Sequence, residues 1–262
     1  MDGLPGSLAD LGPAALSAVV VAGYLVLGEP VVGAVLHRRF EGRLRTDPGA
    51  RRSFYRRLLV LEWGLALVAL VVWLAAPGVD AAAVGLCWPV SAPGPAAAVA
   101  GAAVLLLVVV STRALRSGAV ADAVAQQPGH PPTTRGRHAE PPVHATLALL
   151  PRTRAERRLF TLVGTTAGIC EEWLYRGFLL AVVAAVLGGP PAAVLVVVGA
   201  VAFGLAHAYQ GVAGVVTTGV LGGVFAWLYV DTGSLLLPVL LHVLVDLRFL
   251  LVPARALPAV PR

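Results

Sequence analysis

The stretch "ICEEWLYRGFLL" (Ile169–Leu180) sets two adjacent glutamates and an arginine among apolar residues. On either side run Val, Leu, Ala and Gly, a composition suited to lipid. Ionisable side chains are expensive inside a membrane span, so each one there is a functional hypothesis by default. If the stretch is helical, Glu172 and Arg176 stand at i and i+4, share a face and can neutralise each other. Glu171 is rotated by about 100° from Glu172 and looks elsewhere. Taken alone, the three charges read as a buried structural ion pair with one carboxylate left over.

Working outward, the chain has 262 residues, of which 58% are hydrophobic and 13% charged. Its mean hydropathy is +0.82. Soluble domains carry about a quarter charged residues, so this is the composition of an all-α, polytopic membrane protein. A span needs about 20 apolar residues, and seven segments qualify as candidates: 14–36, 58–76, 95–111, 159–187, 191–207, 212–230 and 235–252. The fourth is long for one crossing and could be tilted or broken, which would give an eighth membrane element. The first run is long and lacks a basic leader, so it reads as a retained span rather than a cleaved signal.

The net charge of +6 comes with no lysine at all. Nucleic-acid binding is disfavoured, because the arginines are confined to loops that topology explains. Residues 37–57 hold eight arginines and residues 112–158 another eight, whereas 77–94 hold none. By the positive-inside rule, seven crossings put the N-terminus outside and the C-terminus in the cytoplasm. Trp73, Trp88, Trp227 and Tyr229 fall near predicted outer ends, as interfacial aromatics should. The expected setting is a multi-pass protein of the bacterial plasma membrane.

The organisation expected is a three-span region 1–117, a flexible cytoplasmic linker 118–158, a helical region 159–252 and a tail 253–262. Pro, Gly and polar residues dominate 118–143, which marks the linker. His130, His138 and His144 lie in or beside it and read as solvated loop residues rather than metal ligands. Cys87 and Cys170 form no framework. Glu29, before Pro30, and Glu62, near a cytoplasmic end, read as local or interfacial devices.

Ionisable residues concentrate instead in the C-terminal spans: Glu171, Glu172, Arg176, His207, His242 and Asp246. His242 and Asp246 share a helix face at i, i+4, and Phe203 stands one turn before His207. At 1.5 Å per residue, Glu171 lies roughly 18 Å and His242 roughly 15 Å from the cytoplasmic side, with His207 near the cytoplasmic end of its span. Three segments thus bring a carboxylate and two imidazoles into one half of a bundle. A desolvated carboxylate is a usable general base, and histidines can share a proton or orient water. Polar groups in a water-excluded pocket can hold a developing oxyanion. This set suits hydrolysis of an amide by activated water. Cys170 is the only candidate nucleophile, and no base motif accompanies it.

At these residues the chain resembles the CPBP intramembrane proteases, the family of type II CAAX prenyl endopeptidases and of bacteriocin-processing and immunity proteins. The likeness rests on Glu171-Glu172-x-x-x-Arg176-Gly177, Phe203-x-x-x-His207 and His242-x-x-x-Asp246, in order on separate spans. It implies an all-helical endopeptidase that cuts a membrane-associated protein or peptide near the cytoplasmic face. By this resemblance Glu171 activates water with His207 assisting, Glu172 and Arg176 brace the site, and His242 and Asp246 stabilise the oxyanion or position water. The family's commoner residue at the last position is Asn. An ionised Asp246 cannot donate to an oxyanion, so it is protonated, orients His242 or ligates a cation.

The resemblance also raises a zinc-dependent version, with Glu171, His207, His242 and Asp246 as ligands. The H-E-x-x-H motif is absent, and glutamate-activated water without a cofactor is the preferred reading. Outside proteolysis, the alternatives are a non-catalytic immunity or scaffold protein and a proton-coupled carrier. Carriers often show repeats, and none is evident here.

Overall fold

The computed structural model describes residues 4–44, 46–117 and 149–252. Residues 118–148 of the expected linker 118–158, with His130, His138 and His144, and the tail 253–262 lie outside the described residues, while the last residues of that linker, 154–158, are already helical. Among the described residues all regular structure is helical. Helix α1 spans Leu8–Leu44, α2 Ala50–Leu74 and α3 Pro95–Ser117. Helix α4 covers 154–187, and α5 Ala192–Ala206 follows it. Helix α6 spans Ala208–Thr232, and α7 Leu236–Leu247 runs into a 3-10 turn, Arg248–Leu251.

All seven expected apolar segments are therefore helical, but they differ in reach. Four of them (α1, α2, α3 and α6) are long and apolar enough to cross a membrane. Helices α5 and α7 have 15 and 12 residues, short of the ~20 a full crossing needs. The long fourth segment is one continuous helix. Thr153 opens α4 with a capping box: its hydroxyl accepts the Glu156 N–H at 3.2 Å, while Glu156 Oε2 accepts the Thr153 N–H at 2.9 Å. That reciprocal arrangement satisfies backbone donors at the helix start and fixes the start at Arg154, ahead of the apolar run.

Two widened π turns lie within the helices, Tyr24–Gly28 in α1 and Trp173–Phe178 in α4. Single π turns in α-helices frequently sit at functional sites. In α1 the turn ends just before Glu29-Pro30. Proline has no N–H to give the preceding turn and crowds its carbonyl, which accounts for the local widening.

Helix α4 meets α7 at close range because Gly164 and Gly168, one turn apart, face it. A Cβ on Gly168 would stand 2.4 Å from Val243 Cγ2 and 3.0 Å from the Val243 backbone nitrogen, and one on Gly164 would stand 3.2 Å from Asp246 Cβ. Small residues spaced by four let two membrane helices approach backbone to backbone. The helix carrying Glu171 and Glu172 is thereby brought against the helix carrying His242.

The two ends of the bundle differ. At the arginine-free end, residues 77–94 are sewn to the α6–α7 turn. The Val90 N–H donates to Thr232 O at 3.0 Å, the Leu235 N–H to Gly85 O at 3.0 Å and the Gly94 N–H to Asp231 Oδ2 at 2.7 Å. Tyr229 is buried there and its hydroxyl donates to Ala83 O at 3.1 Å. It serves this packing rather than the interfacial belt expected of it, while Trp88 is 81% exposed. At the arginine-rich end, Tyr55 bonds Leu149 O and Arg157 bonds Leu250 O, which ties α2, α4 and the end of α7 together.

Candidate active site

The core of the site is an imidazole held between two glutamates. Glu172 and Arg176 are both fully buried, and Arg176 Nη1 stands 3.0 Å from Glu172 Oε1, the i, i+4 pair that the sequence suggests. The same Oε1 accepts a hydrogen bond from His242 Nδ1 at 2.7 Å. A carboxylate can only accept, so Nδ1 carries the proton and the ring orientation is fixed. The other nitrogen, Nε2, then points toward Glu171, at 3.9 Å from its Oε2. Glu171 is near enough to act on whatever His242 holds, but it is not directly bonded to it.

Arg176 has two further supports. Its Nη2 donates to Gly222 O at 3.2 Å, and its guanidinium lies over the Phe203 ring at 4.3 Å, a cation–π contact. Phe203 in turn meets His242 edge-on, with ring centroids 5.7 Å apart, and stands 4.7 Å from the His207 ring. His207 is the residue at which α5 ends. Its Nδ1 donates to Phe203 O at 2.9 Å, because a carbonyl cannot donate. In the neutral ring this leaves Nε2 as an acceptor.

These side chains meet at a cavity of about 490 Å³. Glu171, His207, His242 and Asp246 line it, while Glu172 and Arg176 do not and sit behind it. The structure thus brings all six sequence-derived residues into one region and divides them into a wall and its support. His242 bonds across to Glu172 on α4; among the described contacts none joins it to Asp246 on its own helix face. Cys170 is buried in the apolar core and does not line the cavity. Among the described residues no group of three or more His, Cys, Asp or Glu side chains is arranged to hold a metal ion. The proposed zinc set of Glu171, His207, His242 and Asp246 would need regrouping to do so.

Glu29 and Glu62, read in the sequence as local or interfacial devices, and Tyr175 also belong here. Glu29 of α1 and Glu62 of α2 line the same cavity. Glu29 Oε2 accepts the Tyr175 hydroxyl at 2.8 Å. Tyr175 lies in the π turn of α4 and also reaches Leu25 O, in the π turn of α1, at 3.4 Å, so the two widened turns are joined through one phenol. The signal was present: both acids interrupt apolar runs, the criterion that picked out Glu171.

Residues 155–248 match the type II CAAX prenyl endopeptidase Rce1-like family. The matched residues run from the first turn of α4 to the end of α7 and include all six sequence-derived site residues. No curated protein and no solved structure matches the chain. The Rce1-like family is a protease family, and the stretch similar to it lies in a chain with four helices long and apolar enough to cross a membrane. Glu29 and Glu62 come from helices outside the Rce1-like residues.

Proposed function

We propose that the protein is an intramembrane endopeptidase that hydrolyses a peptide bond of a membrane-associated protein or peptide, with Glu171 as the base. The observation that carries this reading is the 3.9 Å gap between Glu171 Oε2 and His242 Nε2. One water can touch both atoms across it. Glu171 takes a proton from that water, and the resulting hydroxide bonds to the carbonyl carbon of the substrate. His207, through Nε2, accepts the second water proton as a hydrogen bond and orients the attack. His242, when protonated, presents Nε2–H to the oxyanion, and its other nitrogen is anchored on Glu172. Collapse breaks the C–N bond, and Glu171 passes its proton to the leaving amine.

Glu172 and Arg176 act as positioning residues in this scheme. Their pair neutralises itself and fixes the plane of His242. Asp246 sits on the cavity wall, where in protonated form it can add a second donor. The arginine-rich end faces the cytoplasm with the N-terminus outside, in keeping with the positive-inside rule. The bilayer supplies the substrate laterally or from that face.

The test is cleavage of a membrane-tethered peptide by purified protein in proteoliposomes. Glu171→Gln and His207→Ala are expected to abolish cleavage while inserting normally. Full proteolysis by Glu171→Gln would sink the reading. Loss of wild-type turnover on chelation, restored by zinc, would replace the metal-free version with the zinc-dependent one.

A further inference from the structure

Among the described residues, four with carboxyl groups line the cavity (Glu29, Glu62, Glu171 and Asp246) and no arginine does. Arg176 lies behind the wall and is committed to Glu172. Glu29 has the Tyr175 hydroxyl, and Glu171 faces His242. Glu62 differs from both, because its Oε2 is buried and has no hydrogen-bond partner. Its helix is pinned locally, since the next residue, Trp63, donates its indole N–H to Thr166 Oγ1 on α4 at 3.1 Å. A buried carboxyl oxygen without a partner is costly, and native proteins keep few of them.

We propose that Glu62 is a specificity-determining residue that receives a lysine or arginine side chain of the substrate, next to the scissile peptide bond. The inference rests on the protease reading, which makes the ligand a polypeptide. Charge selects the class of side chain. A neutral N–H donor would satisfy one oxygen and leave the excess of acids on the wall unbalanced. A guanidinium or ammonium group does both, through a charge-assisted hydrogen bond. Glu29, on the same cavity wall, adds negative charge without needing to move from Tyr175. The α1–α2 half of the molecule, outside the Rce1-like residues, thereby chooses among substrates that the α4–α7 half cuts.

The experiment uses the full chain in proteoliposomes and tethered peptides that differ at one residue, placed in turn at each position flanking the scissile bond. That residue is arginine, its neutral isostere citrulline, or glutamate. At one position the wild-type kcat/KM for arginine is expected to exceed that for citrulline by about tenfold or more, with the difference in KM. Glu62→Gln removes this ratio, and Glu62→Lys shifts preference to the glutamate peptide. Glu62→Asp, which keeps the charge, retains a preference for arginine. Melting temperatures of the variants separate loss of preference from loss of fold, and the wild-type ratio decides even where a variant misfolds.

Binding of a non-hydrolysable hydroxyethylene analogue of each peptide is measured alongside. Glu62-dependent binding of the arginine analogue with no turnover of any peptide would sustain the subsite and remove the protease reading. Turnover that ignores the arginine–citrulline difference at every position would overturn the subsite and leave the protease standing. Absence of both turnover and arginine-selective binding would overturn both.

Discussion

The wall that α4 and α7 give to the cavity and the wall that α1 and α2 give to it both carry carboxyl groups, held by opposite means. On the α4–α7 side the buried charges behind the cavity are each held by more than one contact. Glu172 serves Arg176 and His242 at once, Arg176 is capped by Gly222 O and the Phe203 ring, and two glycines press the helices together. On the α1–α2 side Glu29 depends on one phenol, and Glu62 Oε2 has no partner. Several contacts on each group rigidify a site and specify its geometry. A wall left partly unsatisfied is available to a ligand. The difference separates the part that must be in place before substrate arrives from the part that substrate completes.

Several substitutions would break or sharpen that contrast. The largest effect is expected on turnover: Glu171→Gln keeps the shape and removes the base, and general-base catalysis is worth about 10²–10⁴-fold. Peptide cleavage measures it, with the melting temperature close to wild type. Next is Arg176→Met, which leaves the buried Glu172 with the His242 bond but without its cationic partner. A loss of about 3–5 kcal/mol in unfolding free energy is expected, and Glu172→Gln in the same chain should recover part of it.

Much of the α4–α7 wall was legible in the sequence, because its logic is local. Spacing of four pairs Glu172 with Arg176, and the 100° step leaves Glu171 apart. What spacing could not supply is which helix faces which. His242 and Asp246 look like partners at i, i+4, yet His242 reaches across to Glu172 because Gly164 and Gly168 let α7 come close. Glu29 and Glu62 looked like interfacial devices because their role depends on the rotation of α1 and α2 about their axes, which weakly periodic apolar runs do not encode. Tyr229 has the composition of an interfacial residue, but the loop 77–94 folds over it.

Gly168→Val probes that close approach. Its side chain would enter the space of Val243, and a loss of about 1–3 kcal/mol is expected from overpacking. Cleavage should fall along with stability as Glu171 draws away from His242. The smallest effect belongs to the other wall: Tyr175→Phe removes the hydrogen bond from its hydroxyl to Glu29, a change of about 1 kcal/mol. Unfolding in denaturant measures it, and a loss as large as that of Arg176→Met would show that the two walls are equally rigid.

The π turn Trp173–Phe178 sets the phase of α4. A widened turn accommodates an extra residue in the spiral, so everything after Phe178 is turned by about 100° relative to an uninterrupted helix. Upstream of it α4 faces the cavity with Glu171, and downstream residues 179–185 are buried almost all round in the apolar core, while Val186 and Leu187 are exposed. Closing the turn to a regular α-turn with every residue kept would rotate the downstream half by about 100° and set it against the wrong neighbours, whereas deleting one residue of the turn would leave both halves seated as they are.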